Sequence, residues 1–206
     1  MNIVMFICDA TSSFSDECKE FTMANIHKTK RLILISLLSA ISFILMFIKF
    51  PLPFLPPYLT IDFSDIPALL ALFTVGPAGA LAVEAIKNIL NFLFTPADPV
   101  GPVANFLAGA SFLLSIYFVS GRQLKHHLVP AFLVATLVMA AVMSILNYFV
   151  LLPLYGMIMN LEDIAANLKV IVSAGIIPFN VVKGLVVSVI FMLIARPLLP
   201  LLRRRF

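Results

Sequence analysis

"FPLPFLPPYLTIDFSDIPALLALFTVGP", residues 50–77, joins two apolar segments through a stiff aromatic stretch where a short polar turn would suffice. Prolines at 51, 53, 56 and 57 fix backbone angles and remove N–H donors, so the stretch cannot begin as a helix. The apolar run resumes at "DFSDIP", where Ser64 or Asp65 can cap a helix and Pro67 suits its first turn. It stops at "VGP", residues 75–77, a helix-stop and turn signal. The stretch therefore reads as a rigid loop feeding a short apolar helix.

Composition sets the class around that loop. The 206 residues are 62% hydrophobic and 12% charged, with a mean hydropathy of +1.09, far from the averages of soluble domains. A membrane span takes about 20 mainly apolar residues, which leaves room for roughly six spans and little else. The expected fold is an all-α integral membrane protein of six transmembrane helices. The spans are placed at about 32–48, from the "DFSDIP" cap to 75–77, 78–94, 103–120, 128–152 and 170–193. "TPADPVGP" forms a second stiff loop, "GRQLKHH" a polar turn, and "YGMIMNLEDIAANLK" after Pro153 an interfacial segment. Residues 1–30 are expected as a disordered extension outside a membrane domain at 31–206. They lack the basic n-region of a signal peptide, and Met23 is an alternative start.

Charge gives the orientation. With a cytoplasmic N-terminus, the inner flanks hold Lys28, Lys30, Arg31, Arg122, Lys125, Arg196, Arg203, Arg204 and Arg205, and no acid. The outer loops hold Lys49 and Lys169 beside Asp62, Asp65, Asp98, Glu162 and Asp163. Nine basic residues inside against two outside is the positive-inside asymmetry. It places both termini in the cytoplasm and the aromatic loop outside. The basic balance thus reports membrane orientation, with no nucleic-acid partner implied.

Ionisable groups at membrane depth are costly and are functional candidates by default. Glu84, Lys87 and Lys183 qualify. Glu84 and Lys87 stand three apart on one helix face and suit a structural ion pair, with Asn88 and Asn91 continuing the polar stripe. Lys183 has no acid within a turn; Asn180 precedes it on the same face, and Asn147 and Tyr148 fall at similar depth on span five. Interhelical hydrogen bonding accounts for any one of these Asn residues. Their shared depth with a lone ammonium favours a ligand site. Enzyme signatures are lacking: His27, His126 and His127 all lie on inner flanks, and "GAS" at 109–111 reads as small residues packing helices. Cys8 and Cys18 stand in no metal-ligand spacing or redox motif. No Walker A loop is present, so the chain cannot itself use ATP.

The run from residue 50 through "AGALAVEAIKNIL", followed by "GPVANFLAG" and "IIPFNVVKG", resembles the riboflavin-specific substrate-binding (S) component of bacterial energy-coupling factor transporters. The resemblance covers residue 31 to the C-terminus. It implies a six-helix protein of the bacterial cell membrane that binds riboflavin on its outer side. Riboflavin would be cargo, and no cofactor is implied. Its expected partners are a transmembrane coupling subunit and two cytoplasmic ATPases. By similarity Asn147, Asn180 and Lys183 match positions that hydrogen-bond the flavin, and the first outer loop around Phe54, Tyr58, Leu59 and Thr60 matches its lid. Ser36-x-x-x-Ala40 matches a small-xxx-small contact with the coupling subunit, with Ser in place of the usual Ala; packing within the chain itself explains that spacing equally well.

Chemistry agrees with the resemblance. Riboflavin is an uncharged planar tricycle with imide edge atoms and a polyol tail. Asn supplies both donor and acceptor to such an edge, and Lys donors only. The alternatives are the same scaffold carrying another vitamin, such as thiamine or biotin, and an intramembrane enzyme. Lys183 argues against a cationic ligand such as thiamine, and the missing catalytic set argues against the enzyme.

Overall fold

The computed structural model describes residues 14–51, 59–95, 98–120, 128–159 and 168–205. Phe54 and Tyr58, two of the expected lid residues, lie outside the described residues. Among the described residues six helical rods form the bundle, in agreement with the count read from the sequence. They are α1 (Phe14–Leu45), α2 (Asp65–Thr74), α3 (Pro77–Phe94), α4 (Val100–Ser120), α5 and α6. Helix α5 runs Leu128–Leu146, a π-helical stretch Asn147–Leu151, then Leu152–Met159. Helix α6 runs Leu168–Val170, a π-helical stretch Ile171–Ile176, then Ile177–Arg205.

Two boundaries differ from expectation at the ends of the chain. Helix α1 is described from Phe14 and runs without a break into the first span, while residues 1–13 of the expected extension lie outside the described residues. No Pro or Gly interrupts residues 14–45, and Glu17, Lys19, Glu20, Met23 and Ala24 favour helix. Helix α6 likewise passes the expected stop near residue 193 and continues through Pro197 and Pro200.

The aromatic loop is pinned at its base. Strands β1 (Phe50–Pro51) and β2 (Thr60–Ile61) pair antiparallel, with Phe50 opposite Ile61 and Pro51 opposite Thr60. The all-α expectation missed this ribbon because two residues carry no legible alternation. It brings the loop's ends together at the mouth of the bundle. From there the chain enters α2, whose ten residues rise about 15 Å, half of a hydrocarbon core. Every residue from Asp65 to Phe73 is buried. A helix apolar on all sides belongs inside a bundle, and α2 is packed there against α1, α3 and α6.

Helix α3 turns the soluble pattern inside out. Its buried face carries Glu84, Lys87, Asn88 and Asn91 above Ala80 and Val83, while Ile86, Ile89, Phe92 and Leu93 face outward. In lipid, polar side chains find partners only toward the protein interior. On α1 and the turn that ends it, Leu34, Leu38, Ser42 and Met46 recur every four residues along the inward stripe, and Ile33, Leu37 and Ile44 are exposed.

Both π-helical stretches stand just ahead of a proline. Leu152 N–H bonds to the Asn147 carbonyl before Pro153, and Ile177 N–H to the Val172 carbonyl before Pro178. A proline ring clashes with the carbonyl four residues back and donates no N–H; a widened turn absorbs both defects. This corrects the expected end of span five at Pro153: the helix passes through it to Met159.

The α2–α3 turn depends on Gly76, which sits at φ 107°. No atom lies close to where a Cβ would stand, so the constraint is conformational and not steric crowding. Val75 and Gly76 N–H groups both donate to the Ala71 carbonyl, and Pro77 opens α3. Gly76→Ala is expected to lower stability by about 1–2 kcal/mol through the left-handed backbone alone. Thermal unfolding of the detergent-solubilised variant reads this; an unchanged midpoint would place the turn's constraint elsewhere.

Candidate ligand site

The cleft sits at the end of the bundle where α1, α3 and the π stretch of α5 arrive and α4 and α6 begin. Its walls come from Met46, Leu59, Thr60, Asp62, Asn91, Asn105, Met143, Asn147, Leu152, Tyr155, Phe179, Asn180 and Lys183, among others. It encloses about 170 Å³. The structure thus brings together Asn147, Asn180, Lys183, Leu59 and Thr60, five of the residues the sequence singled out. Tyr148 goes elsewhere, packing beside Leu152, Val172 and Ile176. Ser36 and Ala40 lie on the exposed face of α1, remote from the cleft walls and not packed inside the chain.

The two asparagines are held alike. Asn147 Nδ2 donates to the Met143 carbonyl at 2.7 Å, and Asn180 Nδ2 to the Ile176 carbonyl at 2.8 Å. Each amide spends one donor on the preceding turn of its own helix, which fixes its orientation and keeps its carbonyl oxygen and second N–H for other partners. Both are buried.

Lys183 is not the lone ammonium that its own helix suggested. Its Nζ donates to Asn105 Oδ1 at 2.7 Å and lies 3.3 Å from Asp65 Oδ2. Asp65 was read as a helix cap in an outer loop; it is 3% exposed and bridges two lysines. Its Oδ1 accepts from Lys87 Nζ at 2.5 Å, and Lys87 is also 2.8 Å from Glu84 Oε1. The Glu84–Lys87 pair is therefore present as expected, but as part of a longer series. Glu84, Lys87, Asp65 and Lys183 form a buried chain of alternating charge with no net excess. The local acid missing from α6 arrives from α2.

Neighbouring polar groups complete the series. Ser64 occupies the N-cap position of α2 but makes no capping bond with its side chain. Its N–H donates to Asp62 Oδ1 at 2.9 Å, its hydroxyl donates to the same oxygen, and it accepts from Lys87 Nζ at 2.9 Å. The Ser42 hydroxyl donates to the Ser64 carbonyl and ties α1 to this corner. Asn88 Nδ2 donates to Glu84 Oε1 at 3.1 Å, and Asn105 Nδ2 donates to Asn88 Oδ1 at 3.3 Å, closing a circuit back to Lys183. Gly109 lies so close to the Glu84 carboxylate that a Cβ would strike it, which gives the "GAS" triplet its packing role.

Asn105 and Tyr155 carry no site expectation from the sequence, and Asp65 only that of a helix cap. Asn105 is a single amide in an apolar span, the criterion that selected Asn147 and Asn180, so its signal was there. Tyr155 was assigned to an interfacial segment; it rides the continued α5 and donates its hydroxyl to Asp98 at 2.9 and 3.1 Å. Asp98 Oδ1 also accepts the Gly101 N–H at 2.9 Å, anchoring the start of α4. Only the fold could show that contact.

A six-helix bundle with an inward polar face and a cleft at one end defines a membrane-embedded binding component. The comparisons agree: the family model "ECF transporter, substrate-specific component" matches residues 30–195, and the chain belongs to that family. It is 60% identical over 181 residues to the riboflavin transporter RibU of Staphylococcus aureus (strain TCH60), covering 87% of this chain and 96% of that protein. It is 44% identical over 178 residues to the riboflavin transporter FmnP of Bacillus subtilis (strain 168), covering 84% and 94%. A solved structure of the S component of a bacterial ECF transporter superposes with a TM-score of 0.75 at 56% identity, covering 85% of this chain and 99% of that one. The chain is accordingly a membrane-embedded transporter component and not an enzyme.

Lys87 holds two carboxylates at once, so its loss strands Glu84 and leaves Asp65 with Lys183 alone. Removing one partner of a buried ion pair costs about 3–5 kcal/mol. Lys87→Met is expected to lower the unfolding midpoint strongly, and Lys87→Met with Glu84→Gln to recover part of it. Thermal unfolding of both variants in one detergent checks this; no recovery in the double variant would separate Glu84 from the series.

Proposed function

We propose that this chain captures riboflavin in the cleft and passes it inward as the substrate-binding component of an ECF transporter. The observation that carries the reading is the convergence of Asn147, Asn180 and Lys183 on one cleft with apolar walls. Met46, Leu59, Met143, Leu152, Ile176 and Phe179 offer surface for a flat ring, and the amides and ammonium offer fixed partners for its polar edge. The ionisable side chains lining the cleft are Lys49 and Lys183 against Asp62 and Asp98, which balance. The names of the relatives support the choice of riboflavin.

The cleft faces outward on the positive-inside reading, since it lies at the end opposite Arg31 and Arg196. Leu59 and Thr60 line the cleft beside the β1–β2 ribbon, and they are the proposed lid residues that the structure describes. Capture at nanomolar levels requires about 12 kcal/mol, which only a largely closed, dry site supplies.

Energy comes from outside the chain. A transmembrane coupling subunit and two cytoplasmic ATPases are the module this component would join, and the exposed Ser36 and Ala40 on α1 are the proposed contact. Two small residues four apart on an exposed helix face let another helix approach closely. Ala40→Leu is expected to abolish co-purification with the module while riboflavin binding persists. Retained co-purification would move the contact to another face.

The binding site is tested by titration of flavin fluorescence. Hydrogen bonds involving charged or fixed polar groups are worth about 1.5–3 kcal/mol, so Lys183→Ala and Asn147→Ala should each weaken riboflavin binding by roughly tenfold or more. The purified parent protein should show a flavin absorption spectrum. Unchanged affinity in both variants would reject this site.

A further inference from the structure

We propose that Asp65 and Asn105 are positioning residues for riboflavin recognition, holding the Lys183 ammonium in a fixed place with its charge already neutralised. The inference deepens the binding reading above and rests on it. Asp65 does not line the cleft; it stands behind Lys183, on α2, with its Oδ2 3.3 Å from Nζ. Asn105, on α4, accepts from the same Nζ at 2.7 Å. An ammonium has three donors, and these two contacts engage two of them. The third is the one a ligand in the cleft would meet.

The consequence is chemical. A buried ammonium without a counter-ion attracts anions; one paired from behind is a directed donor with little net field. Paired this way, Lys183 suits a carbonyl or imine edge of a neutral heterocycle, and the site gains no preference for charge. Asp65 is itself fixed by Lys87, so the placement of Lys183 is inherited from the rigid α2–α3 corner. Three helices other than its own therefore set the position of one amine.

The test is a double-mutant cycle on the full chain in detergent, reading riboflavin affinity by fluorescence quenching. Asp65→Asn and Asn105→Ala are each expected to weaken binding by about tenfold, and by less than about twofold when Lys183 is already Met. Equal losses with and without Lys183 would overturn the inference, because the residues would then act independently of the amine. Should Asp65→Asn fail to fold, Asn105→Ala carries the cycle alone with the same two outcomes. A failure of the binding reading looks different: Lys183→Met by itself would leave affinity unchanged.

Discussion

A chain of four charges, among the five charged side chains that the described residues bury away from water, sets the terms for the rest of this bundle. Moving an isolated ion into a low-dielectric interior costs many kcal/mol, and pairing offsets this only when geometry and hydrogen bonding are nearly complete. Glu84, Lys87, Asp65 and Lys183 go far toward that demand by alternating in sign across three helices, although Glu84 Oε2 is buried without a hydrogen-bond partner. The short α2 makes the arrangement possible. Because it spans only ten residues, its N-terminal end, and Asp65 with it, stands inside the bundle. The partial positive charge of a helix N-terminus favours a carboxylate there as well.

The same constraint explains how function and stability share residues. The corner built from Ser42, Asp62, Ser64 and Lys87 holds α1, α2 and α3 together, and its outer edge is also a wall of the cleft. Gly109 contributes by having no side chain, which lets α4 lie against the Glu84 carboxylate. The cleft is thus the accessible end of a polar seam running through an otherwise apolar bundle. Family membership and the inward amides both support the proposed reading of this cleft as the ligand site.

Much of this was legible in the sequence, for identifiable reasons. Apolar length marked the helices, and Gly76 with Pro77 marked the sharp turn between two of them, because those signals are local. Asn147, Asn180 and Lys183 were found because a polar group in a long apolar run stands out wherever it points. Asp65 was misread for the converse reason: beside a helix start, a carboxylate has an ordinary local use, and its distant partners on α3 and α6 leave no trace nearby. The passage of α5 through Pro153 was hidden by a rule that is true for α geometry and is relaxed by a π turn. The β1–β2 ribbon was too short to register, although the prolines beside it did suggest a stiff loop.

The π stretch of α5 has one more effect. Each residue advances an α-helix by about 100°, so a single residue absorbed in a wide turn shifts everything beyond it by that angle. Continued as a plain α-helix from Met143, Tyr155 would lie about 120° round the barrel from that residue. With one residue taken up, the angle falls to about 20°. Met143, Asn147 and Tyr155 then look into one hollow, as they do. A local fault beside a proline has rephased the upper half of the helix and thereby chosen which of its side chains the cleft receives.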